Sequence, residues 1–398
     1  EGNRVRIQTD NTDQPFDINE GSKLELGSTA KLRVLTTYLE IISELHQKYS
    51  GQSTASLLKL RDSATDILNQ WTLDYLIGAE DKSLHGILSA AMERTYSANP
   101  GERFFTGGGV HVFNNFRRED NGRTPTVRES LQESINLPFV RMLRDIVKHV
   151  IAKNLGTNSV LLQDDKDPRR KEYLARFADR EGLVYLNKFW VKYKGKDSEK
   201  RLEILLDGLH KSAPKLAAVH RYVFPEASLS AFSKFLRTHL TTEELSDKYI
   251  AQIYDRYGPS KFNLPDQGYI ARVHPLELWL LGYMEKNPAI NWNDAVEASA
   301  DKRQEVYSWL FKTRAKNARD SRIRTMLEVE AFLDIHQRWK KLGYPFGHLV
   351  PSYATALGSS GDRPAALAEL MGIITNNGVR IPTVRVNDLH FASDTPYD

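Results

Sequence analysis

Leu32, Leu35, Leu39, Ile42 and Leu45 recur at intervals of three and four residues, the spacing of one face of an α-helix. The period predicts an amphipathic helix near the start of the chain, and the residues at its head give it chemical interest. Leu26-Gly27-Ser28-Thr29-Ala30-Lys31-Leu32 places a serine three residues before a lysine. Residues three apart share a helix face, so Ser28 Oγ and the Lys31 ammonium are expected within reach of each other. That is the arrangement of a serine nucleophile beside a base that takes its proton. The tetrad alone discriminates little. Ser56/Lys59 and Ser212/Lys215 repeat it, and any one of the three reads equally well as an N-cap serine followed by a solvated lysine.

Composition bounds the alternatives. A length of 398 residues predicts two or three domains. With 40% hydrophobic and 27% charged residues, the chain has the balance of a globular protein able to bury a sizeable core. No apolar run approaches the roughly 18 residues of a membrane span. The chain begins at Glu1 without a signal-peptide pattern, which is read as a trimmed sequence whose upstream anchor or domain lies outside it. The absence of cysteine excludes thiol nucleophiles, disulfides and Cys-ligated zinc. Net charge is +4, and the basic clusters at Arg117-Arg118, Arg169-Arg170-Lys171 and Lys192 to Arg201 are interleaved with acids. That is a solvated face rather than the one-signed stripe of a nucleic-acid binder, so no nucleic-acid partner is expected. A mildly basic surface also suits an anionic polymer or membrane surface.

Along the chain, Val5 and Ile7 alternate with polar residues as in a short strand, and residues 10–15 form a turn cluster. Residues 28–95 read as helical. Ser97-Ala98-Asn99-Pro100-Gly101 breaks the pattern, 102–125 reads as loop, and a helical stretch runs from Thr126 to Lys153. Residues 154–169 resemble a linker. From there to Gly343 helical patterns alternate with short breakers such as Gly258-Pro259-Ser260. Pro351 to Pro364 is a small-residue loop, followed by an apolar helix that stops at Asn376-Asn377-Gly378.

The second chemical candidate is Ser134-Ile135-Asn136, which by itself reads as a helix end before Pro138; Ser97/Asn99, ahead of Pro-Gly, reads as a turn. Taken together, four segments in this order resemble the transpeptidase (penicillin-binding) domain of class A penicillin-binding proteins, a serine acyl-transferase group that includes class A β-lactamases. Leu26 to Leu35 is similar to the nucleophile motif. Asn114-Asn115-Phe116 through Gly122 is similar to the Asn-Tyr-Asp-Gly turn ahead of the second motif, and Thr126 to Val140 to the Ser-x-Asn helix. Leu357-Gly358-Ser359-Ser360 with Pro364 to Gly378 is similar to the Leu-Gly-Ser stretch and its Pro-led helix. Ser134 follows Ser28 by 106 residues.

The resemblance implies an α+β, helix-rich, partial serine transpeptidase/β-lactamase-like fold with a large all-α inserted subdomain. Its divisions are 1–153, transpeptidase-like; 154–343, the helical insertion; and 344–398, the return to the transpeptidase-like region. It implies a peptidoglycan D,D-transpeptidase with Ser28, Lys31, Ser134 and Asn136 catalytic and no cofactor or metal. Ser28 would attack the penultimate carbonyl of a stem peptide ending in D-Ala-D-Ala. Lys31 would accept its proton, and Ser134 would pass a proton to the leaving amine. Asn136 would position Lys31 and the substrate, and the Ser28 N–H would form half the oxyanion hole. Implied partners are peptidoglycan stem peptides, β-lactams as covalent inhibitors, and an envelope protein for the helical insertion. The implied location is periplasmic or otherwise extracytoplasmic, with an inner-membrane anchor outside this sequence.

Two departures qualify this. No Lys-Thr-Gly or Lys-Ser-Gly occurs, and more than 200 residues separate Asn136 from Leu357. The missing third motif is read as truncation. It removes the second oxyanion donor, a loss of roughly 2.7–4 kcal/mol of barrier stabilisation, so these 398 residues by themselves are expected to be inactive or nearly so. The alternatives are a non-catalytic scaffold of the same fold, or a helical interaction module with Ser28 and Lys31 exposed and far from Ser134. Other chemistry is weakly supported. Thr106 to Gly109 lacks the Gly-Lys-Ser/Thr of a phosphate loop, and the eleven histidines show no His-Glu-x-x-His.

Overall fold

The period at the head of the chain is a helix in the computed structural model, which describes residues 17–106, 109–156, 160–162, 164–241, 244–312 and 316–384. A short α1 (Ile18–Gly21) and a 3-10 turn over Gly27–Thr29 lead into α2 (Ala30–Tyr49). Its most buried line runs through Lys31, Val34, Leu35, Tyr38, Ile41, Ile42 and Leu45. This is one position away from the stripe drawn through Leu32 and Leu39, which are half-buried. The shift puts a lysine on the core-facing side. Next come α3 (Thr54–Ser63), α4 (Ile67–Gly78) and α5 (Leu84–Met92), each opened by a side chain, Ser53, Asp66 or Ser83, that accepts from a first-turn N–H.

The stretch 102–125 is more than loop. β1 (Phe104–Thr106) pairs antiparallel with β2 (Gly109–His111), with Phe105 opposite Val110, and a 3-10 turn covers Arg118–Gly122. Three-residue strands are too short to show a period of two. The helix expected over Thr126 to Lys153 is broken into α6 (Val127–Gln132) and α7 (Asn136–Leu155). Asn136 therefore begins a helix rather than ending one. Pro138 is tolerated in its first turn, where a backbone N–H has no intrahelical partner.

The chain then forms α8 (Arg169–Tyr193), α9 (Ser198–Asp207), α10 (Ala213–Val223), α11 (Leu229–His239), α12 (Asp247–Arg256), α13 (Leu264–Ala271) and α14 (Pro275–Lys286). Three short helices follow, α15 (Trp292–Ala298), α16 (Ala300–Val306) and α17 (Trp309–Lys312), then the long α18 (Lys316–Lys341) and finally α19 (Pro364–Thr375). Two thirds of the chain is helical and 3% is strand, so the fold is helix-rich. No helix among the described residues is long and apolar enough to cross a membrane. The strand pattern at Val5 and Ile7 and the turn at 10–15 lie outside the described residues, as do Gly107, Gly108 and 157–159.

Two compact units result, Glu1–Val160 with Arg324–Asp398, and Leu161–Ile323. The helical segment read as 154–343 is thus shorter at both ends. Its far boundary falls inside α18 because Ala331, Phe332, Ile335 and Trp339 belong to the core of the first unit, with Tyr38 and Ile42 of α2 and Phe139 and Leu143 of α7. In the second unit α10 is central. Its Leu216, Ala217 and Val219 share a core with Phe232 of α11, Ile250 of α12, Ala271 of α13 and Leu280 of α14.

One charged contact closes the first unit. Arg33 is fully buried, and its Nε donates to Asp362 Oδ2 at 2.5 Å. Nη1 reaches the Leu342 carbonyl at 3.1 Å, and the guanidinium lies over the Tyr344 ring at 5.4 Å. Asp362 also pairs its backbone with Leu24, at 3.0 and 2.8 Å. Removing one partner of such a pair leaves a buried charge uncompensated. Asp362→Leu is therefore expected to lower unfolding free energy by about 3–5 kcal/mol, read from urea melts, and Arg33→Met with Asp362→Leu together to recover part of that loss.

Candidate functional site

Lys31 is 1% exposed because it sits on the buried line of α2. Its Nζ donates to the Ser134 carbonyl at 2.5 Å, to Ser134 Oγ at 3.0 Å and to Asn136 Oδ1 at 2.8 Å. Three ammonium protons meet three oxygens, so the charged form is satisfied. None of these oxygens belongs to a carboxylate, however, and burial pulls the Lys31 pKa down to about 8. At pH 7 about one molecule in ten then holds a neutral amine. In that state Nζ gains a lone pair, and the Ser134 hydroxyl can turn to donate to it.

The second segment is held by its own architecture. Residues 94–98 run against 123–127: Tyr96 N–H donates to the Pro125 carbonyl at 3.0 Å, and Val127 N–H to the Arg94 carbonyl at 2.8 Å. Thr126 and Glu129 form a reciprocal capping box at the head of α6. At its end, Ser134 N–H bonds to the Leu131 carbonyl and Ile135 N–H to the Ser130 carbonyl, the two-bond pattern of a Schellman stop. The left-handed position of that stop, φ +56°, is occupied by Ser134, where glycine is the residue without steric cost. Ser134 is thus held in a strained conformation that aims both its carbonyl and its hydroxyl at Lys31.

Asn136, the first residue of α7, uses both ends of its amide. Oδ1 accepts from Lys31, and Nδ2 donates to the Asn114 carbonyl at 3.0 Å. Asn115 locks that loop. Its Oδ1 accepts from Leu137 N–H at 3.1 Å, and its Nδ2 reaches the Ala98 carbonyl at 2.7 Å and Asn121 Oδ1 at 3.0 Å.

Ser28 is placed differently. It lies in the 3-10 turn ahead of α2 with its side chain exposed, and among the described residues its Oγ makes no hydrogen bond. The expected Ser28–Lys31 contact is replaced by the Lys31–Ser134–Asn136 cluster, because Lys31 points into the core-side acceptors rather than back along its own turn. Glycines set the approach to Ser28. Gly27 has φ +56°, and the backbone of Gly358, φ +93°, comes so close that a Cβ there would stand 2.6 Å from Gly27 N. The Leu357-Gly358-Ser359 stretch therefore lies directly against the residue preceding Ser28.

The other two tetrads collect no such partners. Ser56 Oγ bonds to Gln52 at 2.8 Å and Lys59 is exposed; Ser212 precedes α10 and Lys215 bonds to the His210 carbonyl at 3.1 Å. Ser97 and Asn99 form a turn, with their side chains accepting from Asn99 and Gly101 N–H. Sequence reasoning assigned no role to Asn115, Asp362 or Arg33. For Asn115 the Asn-Asn pair ahead of a turn was the available signal; the Arg33–Asp362 pair spans 329 residues and has no local one. Among the described residues no group of three or more His, Cys, Asp or Glu could hold a metal ion. No family model, curated protein or solved structure matches the chain.

Two outcomes are expected. Ser134→Gly and Ser134→Ala both remove the hydroxyl, but only alanine keeps the left-handed strain, so the glycine variant is expected to be more stable by about 1 kcal/mol in urea melts. Lys31 releases its proton near pH 8 when folded and near 10.5 when unfolded. Between these values the unfolded chain binds the extra proton, so the Lys31 contribution to stability rises with pH across that window and is level below it. Buried tyrosines such as Tyr38 and Tyr96 hold their protons more tightly when folded and act in the opposite sense near pH 10. The readout is therefore the urea-midpoint difference between wild type and Lys31→Met, which should shift toward the wild type as pH rises from about 8 to about 10.

Proposed function

We propose that the chain belongs to an acyl-serine D,D-transpeptidase of peptidoglycan synthesis, built on a partial transpeptidase/β-lactamase-like fold. The observation that carries this reading is the cluster in which a buried, carboxylate-free Lys31 meets Ser134 and Asn136 from more than a hundred residues away. A solvated lysine after an N-cap serine has no need of such partners. The close approach of Gly358 to Gly27 and the order of the four resembling segments add to it.

In this mechanism Ser28 Oγ attacks the penultimate D-Ala carbonyl while neutral Lys31 takes its proton. The carbonyl oxygen becomes an oxyanion facing the Ser28 N–H at the head of α2. The proton passes from Lys31 through Ser134 to the amide nitrogen as the C–N bond breaks, and D-Ala leaves as an amine. An amine of a second stem peptide then attacks the Ser28 ester and releases the enzyme. Asn136 keeps Lys31 oriented throughout. Contacts of this kind often tighten only when substrate is bound, which accommodates the unbonded Ser28 Oγ. β-Lactams would acylate the same oxygen, and the site would work in an extracytoplasmic compartment. The second oxyanion donor and the groups for the substrate carboxylate are not encoded by a Lys-Thr-Gly or Lys-Ser-Gly within these 398 residues. A non-catalytic scaffold of the same fold is the competing reading, with the second unit docking an envelope protein.

A fluorescent penicillin separates the two when the protein is expressed at the gene's full coding length. The transpeptidase reading expects one covalent label at Ser28, lost in Ser28→Ala and formed about 10²–10⁴-fold more slowly in Lys31→Met, with a labelling rate that rises as pH passes about 8. Absence of label, or label that survives Ser28→Ala, supports the scaffold instead.

A further inference from the structure

The second unit contains a cavity of about 240 Å3 where α10, α13 and α14 meet, with Arg221, Tyr222, Gln267, Trp279, Tyr283 and Lys286 in its lining. Two buried polar atoms of its lining, Arg221 Nε and Gln267 Oε1, have no partner. Six of the described arginines are buried: Arg33, Arg141, Arg170, Arg221, Arg303 and Arg338. Five are paired to a carboxylate, with Asp362, Glu102, Asp320, Asp179 and Glu44 as partners. Arg221, 5% exposed, has none among the described residues. Its Nη1 donates to the Pro225 carbonyl at 3.0 Å and the Ala227 carbonyl at 3.3 Å, the Tyr254 ring lies 3.8 Å away, and Nε has no partner. Gln267 is 2% exposed and its Oε1 is also without a partner. Lys286, in the last turn of α14, is exposed and makes no ion pair among the described residues. Trp279 and Tyr283 stack at 5.0 Å with 16° between their planes.

We propose that this cavity binds a small planar organic carboxylate that also carries an O–H or N–H donor. A guanidinium taken out of water without a counter-ion is costly, and an entering carboxylate supplies what the fold withholds. The guanidinium fork suits that group over other acceptors, and Lys286 adds a second positive charge that draws anions toward the cavity. Gln267 Oε1 can only accept, so the ligand must donate to it. The stacked aromatic pair favours a flat body, and the volume, below that of drug-sized sites, limits it to about a single ring. The site stands on the second unit alone and is independent of the chemistry proposed around Ser28.

Isothermal titration of the 398-residue chain with 4-hydroxybenzoate, benzoate and 4-hydroxybenzamide tests each element. Saturable one-site binding of 4-hydroxybenzoate is expected, with benzoate about 2- to 10-fold weaker for the lost donor and the neutral amide at least about 10-fold weaker. Arg221→Met also frees the Pro225 and Ala227 carbonyls, so two milder variants carry the argument. Lys286→Met should weaken 4-hydroxybenzoate by about 2- to 5-fold, more at low salt. Gln267→Leu, which places an apolar side chain where an oxygen is unpaired, should make 4-hydroxybenzoate and benzoate bind equally. No saturable binding of 4-hydroxybenzoate, an amide that binds as well as the acid, or affinities unchanged in both variants would overturn the proposal.

Discussion

Two cations on one helix are buried almost completely, and the segments that return to α2 bring them oxygen. Lys31 and Arg33 are 1% and 0% exposed. Lys31 takes its acceptors from the α6–α7 junction; Arg33 takes Asp362 and the Leu342 carbonyl from the end of the chain. A buried charge tolerates few arrangements, because every donor left unmatched carries a desolvation cost. Apolar contacts around Tyr38, Ile42, Phe139 and Trp339 supply the driving force for collapse. They are non-directional, so the two cations decide which segments lie against which turn of α2.

The difference between the two cations is chemical. Arg33 meets a carboxylate and remains a structural ion. Lys31 meets only neutral oxygens, so burial is not offset by an opposite charge and its proton is loosened toward the neutral range. The α6–α7 break is where this is arranged. Its left-handed residue is a serine rather than a glycine, and the strain is retained where a carbonyl and a hydroxyl both face Lys31. Backbone strain concentrated beside a perturbed titratable group is a pattern of functional sites.

In the second unit the same reasoning identifies an exception. Arg170 and Arg303 are buried and matched with Asp320 and Asp179, whereas Arg221 faces a cavity beside an unpaired Gln267 oxygen. Nothing in the local sequence separates these arginines. Each stands on or beside a helical pattern, and only the assembled helices show which one lacks its acid.

Local information in the sequence was sufficient for the helix-rich class, the broad helical stretches, the turn at Ser97–Gly101 and several breakers of the second unit, because helical periodicity, caps and proline act over a few residues. It also put Ser28, Lys31, Ser134 and Asn136 forward as candidates, of which the structure joins Lys31, Ser134 and Asn136 by hydrogen bonds. Tertiary structure decided the rest. It set the buried line of α2 one position from the leucine stripe, so that Lys31 enters the core. It divided one expected helix at Ser134, ended the second unit inside α18, and turned Lys31 toward Ser134 and Asn136 instead of Ser28. Each of these depends on which distant oxygen or apolar side chain meets a given face. Spacing along a helix fixes which residues share a face, but what that face touches is a property of the whole fold.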